Sequence, residues 1–121
     1  MDKKILILDD NADILDMLSI LLIDSGYQVH ALSSGEKVFE IIKKFHPDLV
    51  LMDVMLANMD GRVICREIKT NTETDSIPVI LISGTHDLAK SLNRQGAPND
   101  FIAKPFDIQN LLAKIERQLV D

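Results

Sequence analysis

Three acidic residues, a hydroxyl and a lysine stand out in this sequence because each follows directly on a short apolar run. Asp9 and Asp10 follow Ile5-Leu6-Ile7-Leu8, Asp53 follows Leu49-Val50-Leu51-Met52, Ser83 follows Val79-Ile80-Leu81-Ile82, and Lys104 follows Phe101-Ile102-Ala103. Singly, each has an ordinary reading, since carboxylates cap helices or sit in turns and a lysine after a strand is a solvated charge. Together they describe a chemistry. Three carboxylates converging on one place repel one another and raise each other's pKa values unless a cation holds them. Oxygen-only ligands with one open side suit Mg²⁺, which keeps several waters and binds through one or two carboxylates. A lysine and a hydroxyl beside such an ion complete a phosphoryl site, where positive charge neutralises the non-bridging oxygens and the hydroxyl adds a hydrogen bond. A carboxylate can also be the nucleophile, as in aspartyl-phosphate chemistry, and Asp53 on the central run is the best candidate.

For these residues to meet, the runs that carry them must be neighbouring strands. Ile5 to Leu8, Val29 to Leu32, Leu49 to Met52, Val79 to Ile82 and Phe101 to Ala103 are continuous rather than alternating, as strands buried on both faces should be. Helical patterns lie between them. Ile14, Leu15, Leu18, Leu21 and Leu22 form one stripe, stopped at Gly26, and Val38, Ile41, Ile42 and Phe45 form a second, stopped before Pro47. A third runs from about Asp60 to Lys69 with Val63, Ile64 and Ile68, and the last has Ile108, Leu111, Leu112, Ile115 and Leu119. Between them a fourth helix, near His86 to Gln95, offers only Leu88, Ala89 and Leu92 and should be the least firmly held. Strands alternating with helices predict an α/β fold, a parallel sheet with helices on both faces. Ligands in such folds gather outside the carboxyl ends of the strands, which is the rim where the five polar residues fall.

The 121 residues are the size of one domain, and 13 Lys+Arg against 19 Asp+Glu give a formal net charge of −6. With 46% hydrophobic and 26% charged residues the chain can build a core without disulfides, which excludes disorder and fibrous classes. An acidic chain with no run of Lys or Arg lacks the footprint for direct nucleic-acid binding. The first apolar run is too short for a signal peptide or a membrane span, and a single cysteine, Cys65, excludes an internal disulfide and a cysteine-based zinc cluster. A cytoplasmic location is expected. Cys65 reads as a small packed hydrophobe, and His30, His46 and His86 share no metal-ligand spacing. The methionines read as packing residues and Asn11 as the cap of the first helix. The chain stops shortly after the last stripe, so no output domain is expected within it.

Taken in order, the segments Ile5-Leu6-Ile7-Leu8-Asp9-Asp10, Ser25-Gly26-Tyr27, Pro47 through Asp53, Met59-Asp60-Gly61, Ile77 through Ser83 and Phe101-Ile102-Ala103-Lys104-Pro105-Phe106 resemble the response-regulator receiver domains of two-component signalling, of the single-domain chemotaxis type. The resemblance covers essentially the whole chain, 1–121. It implies a flavodoxin-like (βα)5 domain whose five-stranded parallel sheet has the order 2-1-3-4-5. Carried over, Asp53 is the phosphoacceptor, Asp9 and Asp10 the acidic pair that holds Mg²⁺ with Asp53, and Met55 a contributor of its backbone carbonyl to the ion. Ser83 takes the switch hydroxyl position, Lys104 the lysine position and Phe101 the switch aromatic position, and the Lys104–Pro105 bond is expected to be cis. Three positions depart from the pattern. Ala57 replaces a usual proline, leaving the loop after Asp53 more unfolded-state entropy to lose. Gly84 stands where alanine is common, and Phe101 lacks the tyrosine hydroxyl.

The implied function is a phosphorelay switch, a regulatory domain rather than an enzyme. A sensor histidine kinase or histidine phosphotransfer protein donates a phosphoryl group to Asp53, and a downstream protein then meets the face formed by the fourth helix, fifth strand and fifth helix. The nearest alternative is a pseudo-receiver, a constitutive docking module that never takes phosphate. A flavodoxin-type enzyme would need a Ser/Thr/Gly-rich loop where Asp9-Asp10-Asn11 stand. A phosphatase of similar topology would need an aspartate at Met55.

Overall fold

The computed structural model describes residues 2–57, 59–84 and 96–120. The elements are β1 (Lys4–Leu8), α1 (Ala12–Asp24), β2 (Gln28–Leu32), α2 (Val38–Phe45), β3 (Leu49–Asp53), β4 (Met55–Leu56), β5 (Met59–Asp60), α3 (Gly61–Thr70), β6 (Val79–Ser83), β7 (Asp100–Ala103) and α4 (Ile108–Leu119). Five strands form one parallel sheet in the order β2-β1-β3-β6-β7, the flavodoxin-like 2-1-3-4-5 order when only these five are numbered. The helix expected near residues 86–95 lies outside the described residues.

The continuous apolar runs of β1, β3 and β6 follow from burial on two sides. Leu6, Leu8, Val50, Met52, Val79 and Leu81 face the layer of α2 and α3, where Val38, Ile42, Ile64 and Ile68 meet them. Ile5, Ile7, Leu49, Leu51, Ile80 and Ile82 face α1 and α4, packing on Leu18, Leu22, Leu111 and Ile115. Each such side chain contributes about 1.5–3 kcal/mol by leaving water. The helix ends follow local chemistry. Asn11 Oδ1 accepts from the N–H groups of Asp13 and Ile14 at 3.0 and 3.1 Å, and His46 closes α2 in a left-handed turn with φ of 53°.

Several expectations are corrected. β2 and β7 are the edge strands and are only partly buried, so their runs are not covered on both faces. Val63 and Ile108, counted with the apolar stripes, are 47% and 43% exposed, because Val63 points away from the buried arc of Ile64, Cys65 and Ile68 and Ile108 is the first residue of α4. Of the methionines, Met52 is buried, whereas Met17, Met55 and Met59 are exposed. A two-stranded antiparallel hairpin, β4 with β5, begins two residues after Asp53 and has no counterpart in the predicted elements.

Candidate functional site

Sheet register brings the strand-end residues together. Leu8 pairs with Met52, so Asp9 and Asp53 stand side by side one step further along β1 and β3. Asp53 pairs with Ile82, which puts Ser83 one step beyond it, and Ser83 pairs with Ala103, which delivers Lys104 from the end of β7. The meeting point is where the strand order reverses between β1 and β3, the crevice in which open α/β sheets hold ligands.

Lys104 Nζ donates to Asp53 Oδ2 at 2.6 Å and stands 3.8 Å from Asp9 Oδ2. The Lys104–Pro105 peptide bond is cis. Asp9 is fully buried and Asp53 nearly so, whereas Asp10 is exposed. Backbone donors fix the two buried carboxylates: Asn11 N–H reaches Asp9 Oδ1 at 2.9 Å, and Met55 N–H reaches Asp53 Oδ1 at 3.0 Å. Asp9 Oδ2 is buried and, among the described residues, accepts no hydrogen bond. Burial therefore pushes the Asp9 carboxyl above its ordinary pKa. The Asn11 hydrogen bond and Lys104 oppose the shift, while Asp53 and Asp10 reinforce it. One oxygen each from Asp9, Asp10 and Asp53 lie within 4.8 Å of one another.

This donor set fits a hard divalent cation. A buried carboxylate oxygen without a donor, beside two other carboxylates and one lysine, is short of positive charge. Met55, expected to lend its carbonyl, begins the hairpin two residues after Asp53, with its side chain in solvent. Ser83 is buried at the end of β6. Phe101 sits apart from the carboxylates, half-buried on β7 and packed against the layer of α2 and α3.

Two features were not read from the sequence. Gly61, within the quoted Met59-Asp60-Gly61, packs so closely that a Cβ there would overlap the carbonyl oxygen of Asp53 and lie 3.0 Å from Val54 Cα. Its N–H also donates to the Val54 carbonyl at 2.7 Å, so α3 begins against the backbone that aims Asp53. A Met-Asp-Gly turn is the available signal, because close backbone approach selects glycine. The second feature is an apolar pocket of about 490 Å³ beside the site, lined by Ile14, Met17, Lys104, Pro105, Phe106 and Ile108.

A flavodoxin-like sheet with three carboxylates and a lysine at its switch point defines a class of small α/β domains with an acidic site at the carboxyl ends of the strands. The family model for the response regulator receiver domain matches residues 5–116, and the chain belongs to that family. It is a receiver domain of two-component signalling, a regulatory module and not an enzyme of the ordinary kind. Solved structures agree. The signal receiver domain of a signal transduction histidine kinase from Syntrophus aciditrophicus is 31% identical with a TM-score of 0.87, over 97% of this chain and 89% of that one. A CheY-like response regulator receiver domain protein from Methanospirillum hungatei is 28% identical with a TM-score of 0.87, over 98% and 94%. NtrX from Brucella abortus, a larger protein, is 34% identical with a TM-score of 0.85, over 98% of this chain and 27% of that one.

Proposed function

We propose that this single domain, residues 1–121, is a phosphorylation switch in which Asp53 takes a phosphoryl group from a phosphohistidine of a sensor histidine kinase or a histidine phosphotransfer protein. One observation carries the reading: Lys104 Nζ lies 2.6 Å from Asp53 Oδ2, within reach of the donor-less oxygen of Asp9 and beside Asp10. An Asp53 carboxylate oxygen attacks phosphorus in line, forming a P–O bond as the P–N bond to imidazole breaks. The electron pair leaves with the imidazole, which retains its other nitrogen's proton. Asp9, Asp10, Asp53 and the Met55 carbonyl would hold Mg²⁺, which when bound supplies positive charge against the phosphoryl oxygens. Lys104 supplies the other positive charge, and the Ser83 hydroxyl supplies a hydrogen bond to the acyl phosphate.

Drawing Ser83 inward leaves room for Phe101 to turn, which changes the surface of β7 and α4 offered to a downstream protein. The donor meets the other side. The pocket of Ile14, Met17, Pro105, Phe106 and Ile108 shares Lys104 with the site, so an apolar side chain one turn from the partner's histidine can seat there as the imidazole approaches. No described helix is long and apolar enough to cross a membrane, and a cytoplasmic location goes with such partners. Direct nucleic-acid binding is no part of the proposal, given the acidic chain. The pseudo-receiver reading has less support, since acceptor, acidic pair and lysine are all retained and the register aligns their strand ends.

Intact mass after incubation with a small-molecule phosphodonor is the test. Wild-type protein should gain one phosphoryl mass only with a divalent ion, and Asp53→Asn should gain none. Equal labelling of the Asn variant on an acid-stable residue overturns the assignment.

A further inference from the structure

We propose that Lys114 is a positioning residue for Phe101, a latch from α4 that holds the aromatic ring in its resting place and sets how readily the switch turns. The inference rests on the phosphoacceptor reading above and adds the regulation of that site. Lys114 Nζ pairs with Asp100 Oδ1 at 3.2 Å, with only 22% of the lysine side chain and 15% of the aspartate exposed. Two pairs away from the acidic site, Lys44 with Glu40 and Arg62 with Asp60, are considerably more exposed. Partial burial matters because it reduces the screening that makes surface pairs nearly worthless.

The same oxygen, Asp100 Oδ1, also accepts the backbone N–H of Phe101 at 2.8 Å. One charge thus fixes both the lysine and the backbone from which the ring departs. The ammonium stands 6.0 Å from the centre of the Phe101 ring, at the outer reach of a cation–π contact. Phe101 has no hydroxyl of its own, so packing and this ammonium are the means available to bias the ring. Lys104 on Asp53 marks the arrangement as the unphosphorylated one, with the lysine on the bare carboxylate rather than on a phosphoryl oxygen. A ring that turns from its present place moves away from Lys114 and from the strand geometry that Asp100 maintains. Losing the latch should favour that movement, and with it the phosphorylated form, because a contact present in only one state shifts the equilibrium between states.

The test measures affinity for beryllium fluoride with Mg²⁺ in wild type, Lys114→Gln, Lys114→Arg and Asp100→Asn, alongside NMR signals of a ring-labelled Phe101. The expected result is about fivefold tighter beryllium fluoride binding in Lys114→Gln, within the usual span of allosteric coupling. Phe101 signals should shift in that variant, Lys114→Arg should restore wild-type values, and Asp100→Asn should add nothing to Lys114→Gln. Unchanged or weaker binding by Lys114→Gln, or additive effects of the two substitutions, overturns the latch. If wild-type protein itself fails to bind beryllium fluoride, the phosphoacceptor reading falls. The ring signals then decide the latch alone: shifted in Lys114→Gln and restored in Lys114→Arg, it stands, and otherwise it does not.

Discussion

Lys104 Nζ reaches Asp53 Oδ2 at 2.6 Å and Asp9 Oδ2 at 3.8 Å, so one ammonium faces two buried carboxylates. Removing it leaves two largely buried carboxylates without their cation. Lys104→Ala should lower metal-free stability by about 1–3 kcal/mol, less than for a wholly enclosed pair because the lysine is partly exposed. Mg²⁺ should recover more stability in this variant than in wild type, since the cation then neutralises a larger deficit. Urea unfolding with and without Mg²⁺ checks both, and an unchanged midpoint without metal would contradict the electrostatic account.

Gly61 and Gly84 make opposite predictions from the same substitution. A methyl group on Gly61 meets the backbone of Asp53 and Val54, which cannot yield without moving the Asp53 carboxylate, so Gly61→Ala should cost about 1–3 kcal/mol and slow labelling of Asp53. Among the described residues nothing lies within 4 Å of a Cβ on Gly84, and its φ is not in the left-handed region. Gly84→Ala should therefore stabilise by about 0.4–1 kcal/mol through the unfolded chain. Thermal midpoints of the two variants decide the matter.

Burial of the central strands made most of the site legible in the sequence. Strands buried on both faces write themselves as uninterrupted apolar runs, so the residue after β1, β3 and β6 marks the rim and gives Asp9, Asp53 and Ser83, while Lys104 follows the shorter run of the edge strand β7. The β4–β5 hairpin could not, because two-residue strands have no period to detect. Ile108 and Met17 look the same in a sequence whether they face the core or a partner, and they line the open pocket. Lys114 reads as one more solvated helix charge until the fold sets it beside Asp100. Pairings across distant elements depend on how helices lie on the sheet, which local patterns do not encode.

Asp10 is exposed while its two neighbours in the cluster are buried, which divides its effects. Asp10→Ala removes like charge from the empty site and should raise metal-free stability slightly, by less than about 1 kcal/mol at so exposed a position. It should also weaken Mg²⁺ binding by roughly tenfold or more, since loss even of outer-shell partners typically costs about 10–100-fold. Magnesium titration followed by calorimetry is the check, and unchanged affinity would remove Asp10 from the ligand set.

Cys65 gives the clearest pH dependence away from the acidic site. It is buried in α3, its Sγ 3.6 Å from the Gly96 carbonyl, and burial pushes its thiol from 9.0 up to about 11, against weaker opposing pulls from Lys69 and Arg66. In the unfolded chain the thiol ionises near its ordinary value, while the folded protein keeps it protonated. Between these two values the unfolded state binds fewer protons, so stability falls as pH rises from 9.0 towards about 11, and below that window the thiol contributes no slope. Cys65→Ala should lack this component while costing on the order of 1 kcal/mol for the lost sulfur contacts. Subtracting its urea stability from that of wild type at each pH cancels Tyr27 and the other groups that titrate in the same range. The difference should decline only above about pH 9, and native wild-type protein at about pH 8 should resist alkylation by iodoacetamide until urea opens it. Rapid alkylation without denaturant would show that the α3 core opens far more readily than its packing implies.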